Sequence, residues 1–391
     1  MPGGAANASS DSLGEQQGAG YKPPRLRIRD LSVELPIIQG GMGIGVSLSG
    51  LASAVARAGG VGVIATAGIG WDEPDFHTKY KSANNRALRR HIRAVREAGP
   101  GVLGVNILVA LSNYNDLVTT AVEENVDLII SGAGLPLALP ELVPPDGPKL
   151  VPIVSSARAA EIICKKWKNR YDRLPDAFVV EGPKAGGHLG FKAEDLDQPE
   201  FALEKILVPV VETARKFGNI PVIAAGGVYT GADIHAMLQL GASGCQMGTR
   251  FVGTEECDAS PEFKQHYLSA KAEDIQIVQS PVGLPGRAIR TPFVKDLDGD
   301  SRQPESCPFY CMRGCKKEDA PFCITRALIE AKTGNLQDGL VFAGSNAWRV
   351  DSIVPVARLM ADLVAEYEAE SRRHAQTQEA EPSPLAGVSG L

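Results

Sequence analysis

IPVIAAGGVYTGADIHAMLQLGASGCQMGTRF, residues 220–251, contains one complete structural unit. Its opening run, 220–227, is β-branched and small and ends on paired glycines, the pattern of a strand entering a tight turn. GADIHAMLQL at 231–240 then spaces apolar residues three and four apart, the period of a helix with one buried face. GCQMGTRF at 244–251 returns to a strand pattern. A strand, a helix and a second strand in so short a span predict two parallel strands joined by a right-handed crossover.

The same rhythm extends toward the N-terminus. PIIQ (36–39), GVGVIAT (60–66), VLGVNILV (102–109), VDLIISG (126–132), KLVPIVS (149–155) and AFVVEG (177–182) read as six further strands, with helical patterns such as LSGLASAVARA (48–58) and ALRRHIRAVREA (87–98) between them. Eight strands with alternating helices predict an α/β fold of the TIM (β/α)8-barrel type. The fourth crossover, LPLALPELV at 135–143, is short and proline-bearing and is the weakest link. A doubly wound open sheet would carry a G-x-G-x-x-G turn after its first strand, but the run from Gly41 meets Val46 where the last glycine belongs. The expected organisation is a disordered tail over 1–22, one barrel domain over 23–374 and a disordered tail over 375–391. The barrel domain includes a cysteine-rich insertion and return segment at 295–350, packed near the barrel mouth.

Composition narrows the function. Apolar residues make up 44% of the 391 residues and aromatics 6%, enough for a large core of aliphatic strands and helices. A net charge of −6 offers no basic field for nucleic acid. No apolar run has membrane-span length and no basic-then-apolar leader opens the chain, so no membrane partner and a cytoplasmic location are expected. Of seven cysteines, Cys164, Cys245 and Cys257 are expected to fill core space.

In a barrel, chemistry is built from the C-terminal ends of the strands. Gln39-Gly40-Gly41-Met42 ends the first strand, Asn106 lies in the third, Ser131 and Gly132 close the fourth, Glu181 closes the sixth, Gly226-Gly227 the seventh, and Gln246-Met247-Gly248-Thr249 the eighth. Paired glycines let backbone approach a flat ring or a phosphate closely. The loops after the seventh and eighth strands are the usual phosphate seat of this fold. His188, in AGGHLG at 185–190 with Gly187 beside it, is expected on a mobile glycine-rich loop as the general acid or base. His77, His91, His235 and His266 read as solvated. GVSLSG at 45–50 lacks the closing glycine of a nucleophile elbow and reads as a serine-capped helix start, which leaves hydrolase chemistry unsupported.

Together these motifs, LPIIQGGMG, LASAVARAGGVGVI, GVNILV, VVEGPKAGGHLG, IPVIAAGGVYTGADI and GASGCQMGTRFVGTEE, resemble the nitronate monooxygenase (2-nitropropane dioxygenase) family and its relatives, the FMN-dependent enoyl-acyl-carrier-protein reductases, over roughly residues 30–290. The resemblance implies FMN held by Gly40, Gly41, Met42, Asn106, Gly226, Gly227, Gln246, Gly248 and Thr249, with His188 catalytic. It implies oxidation of an alkyl nitronate to a carbonyl compound and nitrite with O2. The alternative it carries is an FMN-dependent enoyl-thioester reductase fed by NAD(P)H, to which the cysteine-rich insertion at 295–350 would add an iron–sulfur cluster and an electron carrier as donor. A reading of another class is a non-catalytic redox-sensing module. Small-molecule substrates are expected in either enzyme reading, and a homodimer is an allowed assembly.

After the eighth strand the chain departs from the minimal family pattern with Cys307-x₃-Cys311-x₃-Cys315-x₇-Cys323. Four soft thiolates in one short span suit a 4Fe–4S cluster or structural zinc, with free or partly oxidised thiols as the remaining option. Asp296, Asp298 and Asp300 read as a polar turn, since the glycine and glutamate of a calcium loop are missing. ALIEAKTGNLQDGLVFAGSNAWRV at 327–350 reads as a helix and a segment returning over the mouth, bringing Asn346 and Arg349 toward substrate.

Overall fold

The computed structural model describes residues 21–297 and 302–380. Eight parallel strands close into a barrel: β1 (Ile37–Gln39), β2 (Val61–Ala65), β3 (Val102–Leu108), β4 (Leu128–Gly132), β5 (Lys149–Val154), β6 (Phe178–Glu181), β7 (Val222–Ala225) and β8 (Gly244–Met247). Each falls within a run read from sequence. The ring closes where β8 pairs with β1, Cys245 opposite Ile37, Gln246 opposite Ile38 and Met247 opposite Gln39. The crossovers carry helices α1 (Ser49–Arg57), α2 (Tyr80–Ala98), α3 (Tyr114–Glu123), α4 (Leu139–Leu142), α5 (Ala157–Tyr171), α6 (Leu203–Lys216) and α7 (Gly231–Gln239). The proline-bearing fourth crossover shrinks to the single turn of α4.

Beyond β8 the chain inserts a cap before the barrel is complete. The cap comprises the helical turn α8 (Thr249–Val252), α9 (Pro261–Ser269), the antiparallel strands β9 (Ile275–Gln279) and β10 (Pro285–Ile289), α10 (Ile324–Lys332) and β11 (Val341–Phe342). Only then does α11 (Val356–Ala380) pack against α7 and α1 as the eighth barrel helix. Residues 375–380, expected in the loose C-terminal tail, belong to this helix. Their polar side chains form its solvent face, supported by the ion pairs Arg372–Glu368 and Arg373–Glu370 one turn earlier. The expected tails over 1–20 and 381–391, and Asp298 and Asp300 of the expected polar turn, lie outside the described residues. Asp296 pairs with Arg302.

Side-chain parity along the strands sorts the core. Ile38, Val63, Ile130, Val151, Val179 and Ile223 pack together inside the barrel, while Ile37, Ile64, Val105, Ile129, Val180 and Ala224 face the helices. The hairpin Leu26–Ile28 and Leu31–Val33 adds Leu26, Ile28 and Val33 to the interior cluster. Its turn is tied to the strand N-terminal ends by Arg29–Asp176 and Lys149–Asp30. The hairpin therefore stoppers the bottom and leaves the C-terminal rim open. On the same inward parity, Asn106, Glu181 and Gln246 top the apolar interior with a polar layer. No helix among the described residues is long and apolar enough to cross a membrane.

Two local expectations are corrected. The start of α1 is capped not by a serine but by the distant Asp258, whose carboxylate accepts from Leu48, Gly50 and Leu51 N–H at 2.8, 3.0 and 3.1 Å. Of the histidines read as solvated only His77 is exposed. His235 is buried against the rings of Tyr367 and His374, because α11 covers the α7 face that sequence periodicity assigns to solvent. His91 is half-buried, 3.0 Å from Ser49 Oγ, and burial draws its pKa down to about 4. His266 is half-buried 3.2 Å from the Arg290 carbonyl.

Candidate active site

Above the polar layer opens a cavity of about 540 Å³, the size of a small-ligand site. Gly40, Gly41, Met42, Asn106, Glu181, Gly187, His188, Gly226, Gly227, Gln246, Met247, Gly248 and Thr249 all line it. Ser131 and Gly132 do not. Ser131 has the outward parity of Ile129 and is sealed behind the strand, donating to the Ile107 carbonyl at 3.0 Å and lying 3.0 Å from the Tyr114 hydroxyl. Gly132 packs against Ile153. The cavity wall there is made instead by Ala133 and Gly134, both at positive φ.

Two places show backbone held unusually close. A Cβ at Gly41 would sit 2.4 Å from Asn106 Cβ, so only glycine lets the first loop lie on that side chain. The Asn106 carbonyl is taken by Thr66, while its carboxamide makes no hydrogen bond among the described residues. Gln246 Oε1 is buried and without a partner, an expensive state that a bound donor would relieve. An open amide, an orphaned buried acceptor and a Cβ-free approach suit a flat heteroaromatic ring whose edge offers N–H and C=O groups. At the other end, Gly226 and Gly227 adopt φ +89° and +99°, next to the start of α8, whose first N–H groups have no intrahelical acceptor. Asn346 Nδ2 donates to the Gly227 carbonyl at 2.8 Å, and Thr249 Oγ1 accepts from Gly344 N–H at 3.2 Å. Asn346 thus reaches the mouth as expected. Arg349 does not, because its guanidinium stacks over the Tyr229 ring at 4.3 Å, outside the cavity lining.

His188 occupies a two-residue strand that pairs antiparallel with β10, opposite Gly286. Its loop was expected to be mobile but is pinned. Leu189 N–H donates to the Pro285 carbonyl at 2.9 Å, and the Arg287 guanidinium donates to the carbonyls of Pro183 and Ala185. His188 Nε2 lies 2.6 Å from Ser280 Oγ, and the ring meets Phe342 edge-on at 5.0 Å. Burial lowers the His188 pKa to about 4, so the imidazole is neutral at pH 7. Burial raises the Glu181 carboxyl to about 7. Two titratable groups displaced in opposite directions in one cavity are the mark of a base and an acid. Ser280 and Phe342 come from the cap, and no motif in their sequence announces them. The Ser280 contact joins positions 92 residues apart.

These shifts set a pH dependence. Between about pH 4 and 6.5 folded His188 holds fewer protons than the unfolded chain, so its contribution to stability is lost as pH falls through that window. Glu181 acts oppositely: its folded pKa is raised from 4.5, so its contribution declines as pH rises toward 7. Thermal melts across this range should show His188→Gln flattening the acid-side loss and Glu181→Gln flattening the decline toward neutrality. Melts of both variants that simply track the parent would refute the assignment.

The cysteine segment is part of the same wall. Cys311 and Met312 line the cavity. Ser112 N–H donates to the Cys311 carbonyl and Arg313 N–H to the Ala110 carbonyl, each at 2.9 Å, stitching the insertion to the loop after β3. Burial pushes the Cys311 thiol up to about 11 and raises Cys315 and Cys323 in the same direction. Among the described residues no three His, Cys, Asp or Glu side chains are set to hold a single metal ion. Cys164, Cys245 and Cys257 are buried, as expected of core residues.

The family model for nitronate monooxygenase matches residues 25–131 and 118–366. The chain is 30% identical over 272 residues to a (3aS,4S,5R,7aS)-5-hydroxy-7a-methyl-1-oxo-octahydro-1H-indene-4-carboxyl-CoA dehydrogenase of Mycobacterium tuberculosis, covering 70% of this chain and 68% of that protein. It is 28% identical over 296 residues to a probable nitronate monooxygenase of Staphylococcus aureus, covering 68% and 78%. The structure of FabK from Thermotoga maritima superimposes with a TM-score of 0.71 at 29% identity, covering 90% of this chain and 99% of that one. With a barrel whose rim gathers the motifs and a family match spanning most of its length, the chain belongs to the nitronate monooxygenase family of flavin-dependent oxidoreductases.

Proposed function

We propose that the cavity binds FMN and that the enzyme oxidises an alkyl nitronate, releasing a carbonyl compound and nitrite, with O2 as the final electron acceptor. Gly40, Gly41, Met42, Asn106 and Gln246 would hold the ring, and Gly226, Gly227, Gly248 and Thr249 the phosphate. When bound, FMN supplies reversible uptake of one or two electrons. The chain's own work is positional and acid–base. His188 is neutral and, in the tautomer that donates Nε2–H to Ser280, has one ring nitrogen left to accept the α-proton of a neutral nitroalkane, giving the nitronate that is then oxidised. Phe342 and the cap strands exclude water around it. The observation that carries the reading is this half-buried, neutral imidazole at the rim of a glycine-lined cavity.

A second reading, an enoyl-thioester reductase or acyl-thioester dehydrogenase, is favoured by one specific fact. The mycobacterial relative, named for a carboxyl-CoA substrate, is as similar to this chain as the probable nitronate monooxygenase is. Anaerobic mixing separates the two. A short alkyl nitronate such as ethyl nitronate should bleach the flavin of the loaded protein, with nitrite released when air is admitted. Bleaching by NADH or NADPH but not by nitronate, with reoxidation by an enoyl-CoA, would replace the first reading by the second.

A further inference from the structure

We infer that Cys307, Cys311, Cys315 and Cys323 are the four ligands of a 4Fe–4S cluster set into the wall of the cavity. The four side chains come from separate pieces of backbone. Cys311 lies on the stretch stitched to the loop after β3, Cys315 in the turn closed by its own N–H to the Met312 carbonyl, and Cys323 immediately before α10. They nevertheless gather. Cys311 and Cys323 pack in one cluster with Phe309 and Phe322, and each of the four thiols lies within charge–charge range of the other three. Such mutual proximity is what a four-thiolate site requires.

No three of its members converge on one ion. Zinc draws each sulfur to about 2.3 Å from one point. A cluster brings its own core of iron and sulfide and is held by thiolates at its corners, so it suits ligands that share a neighbourhood but not a point. Soft thiolates with no histidine or carboxylate among them favour the same choice. Exposure is graded across the group: Cys311 is buried on the cavity side, and the other three are half-exposed. Phe309 and Phe322 shield it from within. Arg326 supplies positive charge beside Cys323. A cluster here would sit between the protein surface and the cavity, where single electrons from an external one-electron carrier protein could enter.

The test uses the full-length protein purified without oxygen, or reconstituted with ferrous iron and sulfide. About four iron atoms and four acid-labile sulfides per chain are expected, with a broad visible absorbance bleached by dithionite. Cys315→Ser and Cys323→Ser should each lose at least half of the iron while keeping the parent's circular dichroism, and Cys257→Ala should keep all of it. One zinc per chain overturns the proposal, as does a metal-free protein with all four thiols titratable, or iron content unchanged in both serine variants. Should those variants fail to fold, the iron and sulfide content of the parent and the low-temperature paramagnetic resonance of its dithionite-reduced form decide alone. The iron, sulfide and paramagnetic-resonance readouts do not depend on flavin binding or on substrate, so they stand or fall apart from the nitronate reading.

Discussion

His188→Ala is expected to lower turnover by about 10²–10⁴-fold, the usual worth of a positioned general base, while leaving flavin bound and the fold intact. The side chain lines the cavity, and its contacts, Ser280 Oγ at 2.6 Å and the edge of Phe342, belong to the cap and not to the cofactor cradle. Removing it should therefore spare the ring contacts of Asn106 and Gln246. A loss confined to proton transfer lowers kcat and kcat/KM together. The parent enzyme should carry a second signature: with the imidazole held near pKa 4 by burial, the acid limb of its kcat/KM profile should fall close to pH 4 and not near 6.5. Steady-state rates with a neutral nitroalkane, whose α-proton the base must remove, the flavin spectrum of the purified variant and the pH profile of the parent check the three parts. A variant that keeps more than a tenth of the parent rate removes His188 from the mechanism, and one that loses its flavin makes the residue a cofactor contact.

Gly226→Ala should cost the protein its flavin. A Cβ there would sit 2.7 Å from the Gly182 carbonyl oxygen, 3.0 Å from Gly182 N and 3.2 Å from Ala185 N, all backbone atoms that cannot rotate away. The residue also holds φ +89°, which costs an L side chain roughly 1–2 kcal/mol. Relief must come from moving either the β7 loop or the loop that leads to His188. At about 1.4 kcal/mol per tenfold, binding should weaken at least about tenfold, and the melting temperature should fall. Gly218→Ala is the control, since it shares a positive φ of +102° but has nothing within 4 Å of the added carbon. It should show the strain cost alone, with flavin titration unchanged. Equal flavin affinity in the two variants would show that the close approach at Gly226 has no part in the site.

The barrel was legible because its information is local. Runs such as VLGVNILV and IPVIAAGG carry the composition of buried parallel strands, and inward parity alone places Asn106, Glu181 and Gln246 at the rim. Ser131 misled because its motif ends a strand whose parity turns it outward, so that Ala133 and Gly134 meet the cavity instead. The pinning of His188 was invisible because Arg287, Pro285 and Ser280 reach it from the far side of an insertion, and pairing between distant strands leaves no periodic trace in either. The cap of α1 by Asp258 failed to show for the same reason. The cysteines occupied a middle ground: their crowding was plain in the spacing, whereas their neighbourhood to the cavity depended on where the cap folds back.

The place of α11 in the ring has a consequence for biosynthesis. Its Glu366 carboxylate accepts from Gly231 N–H at 2.7 Å and pairs with Arg250, so the seam between the first and seventh helices is sealed only by a segment synthesised after the whole cap. At about 5–20 residues per second, the nascent cylinder waits several seconds through residues 248–355 with that greasy seam uncovered. A stop codon between residues 248 and 355 would release a barrel lacking its final stave.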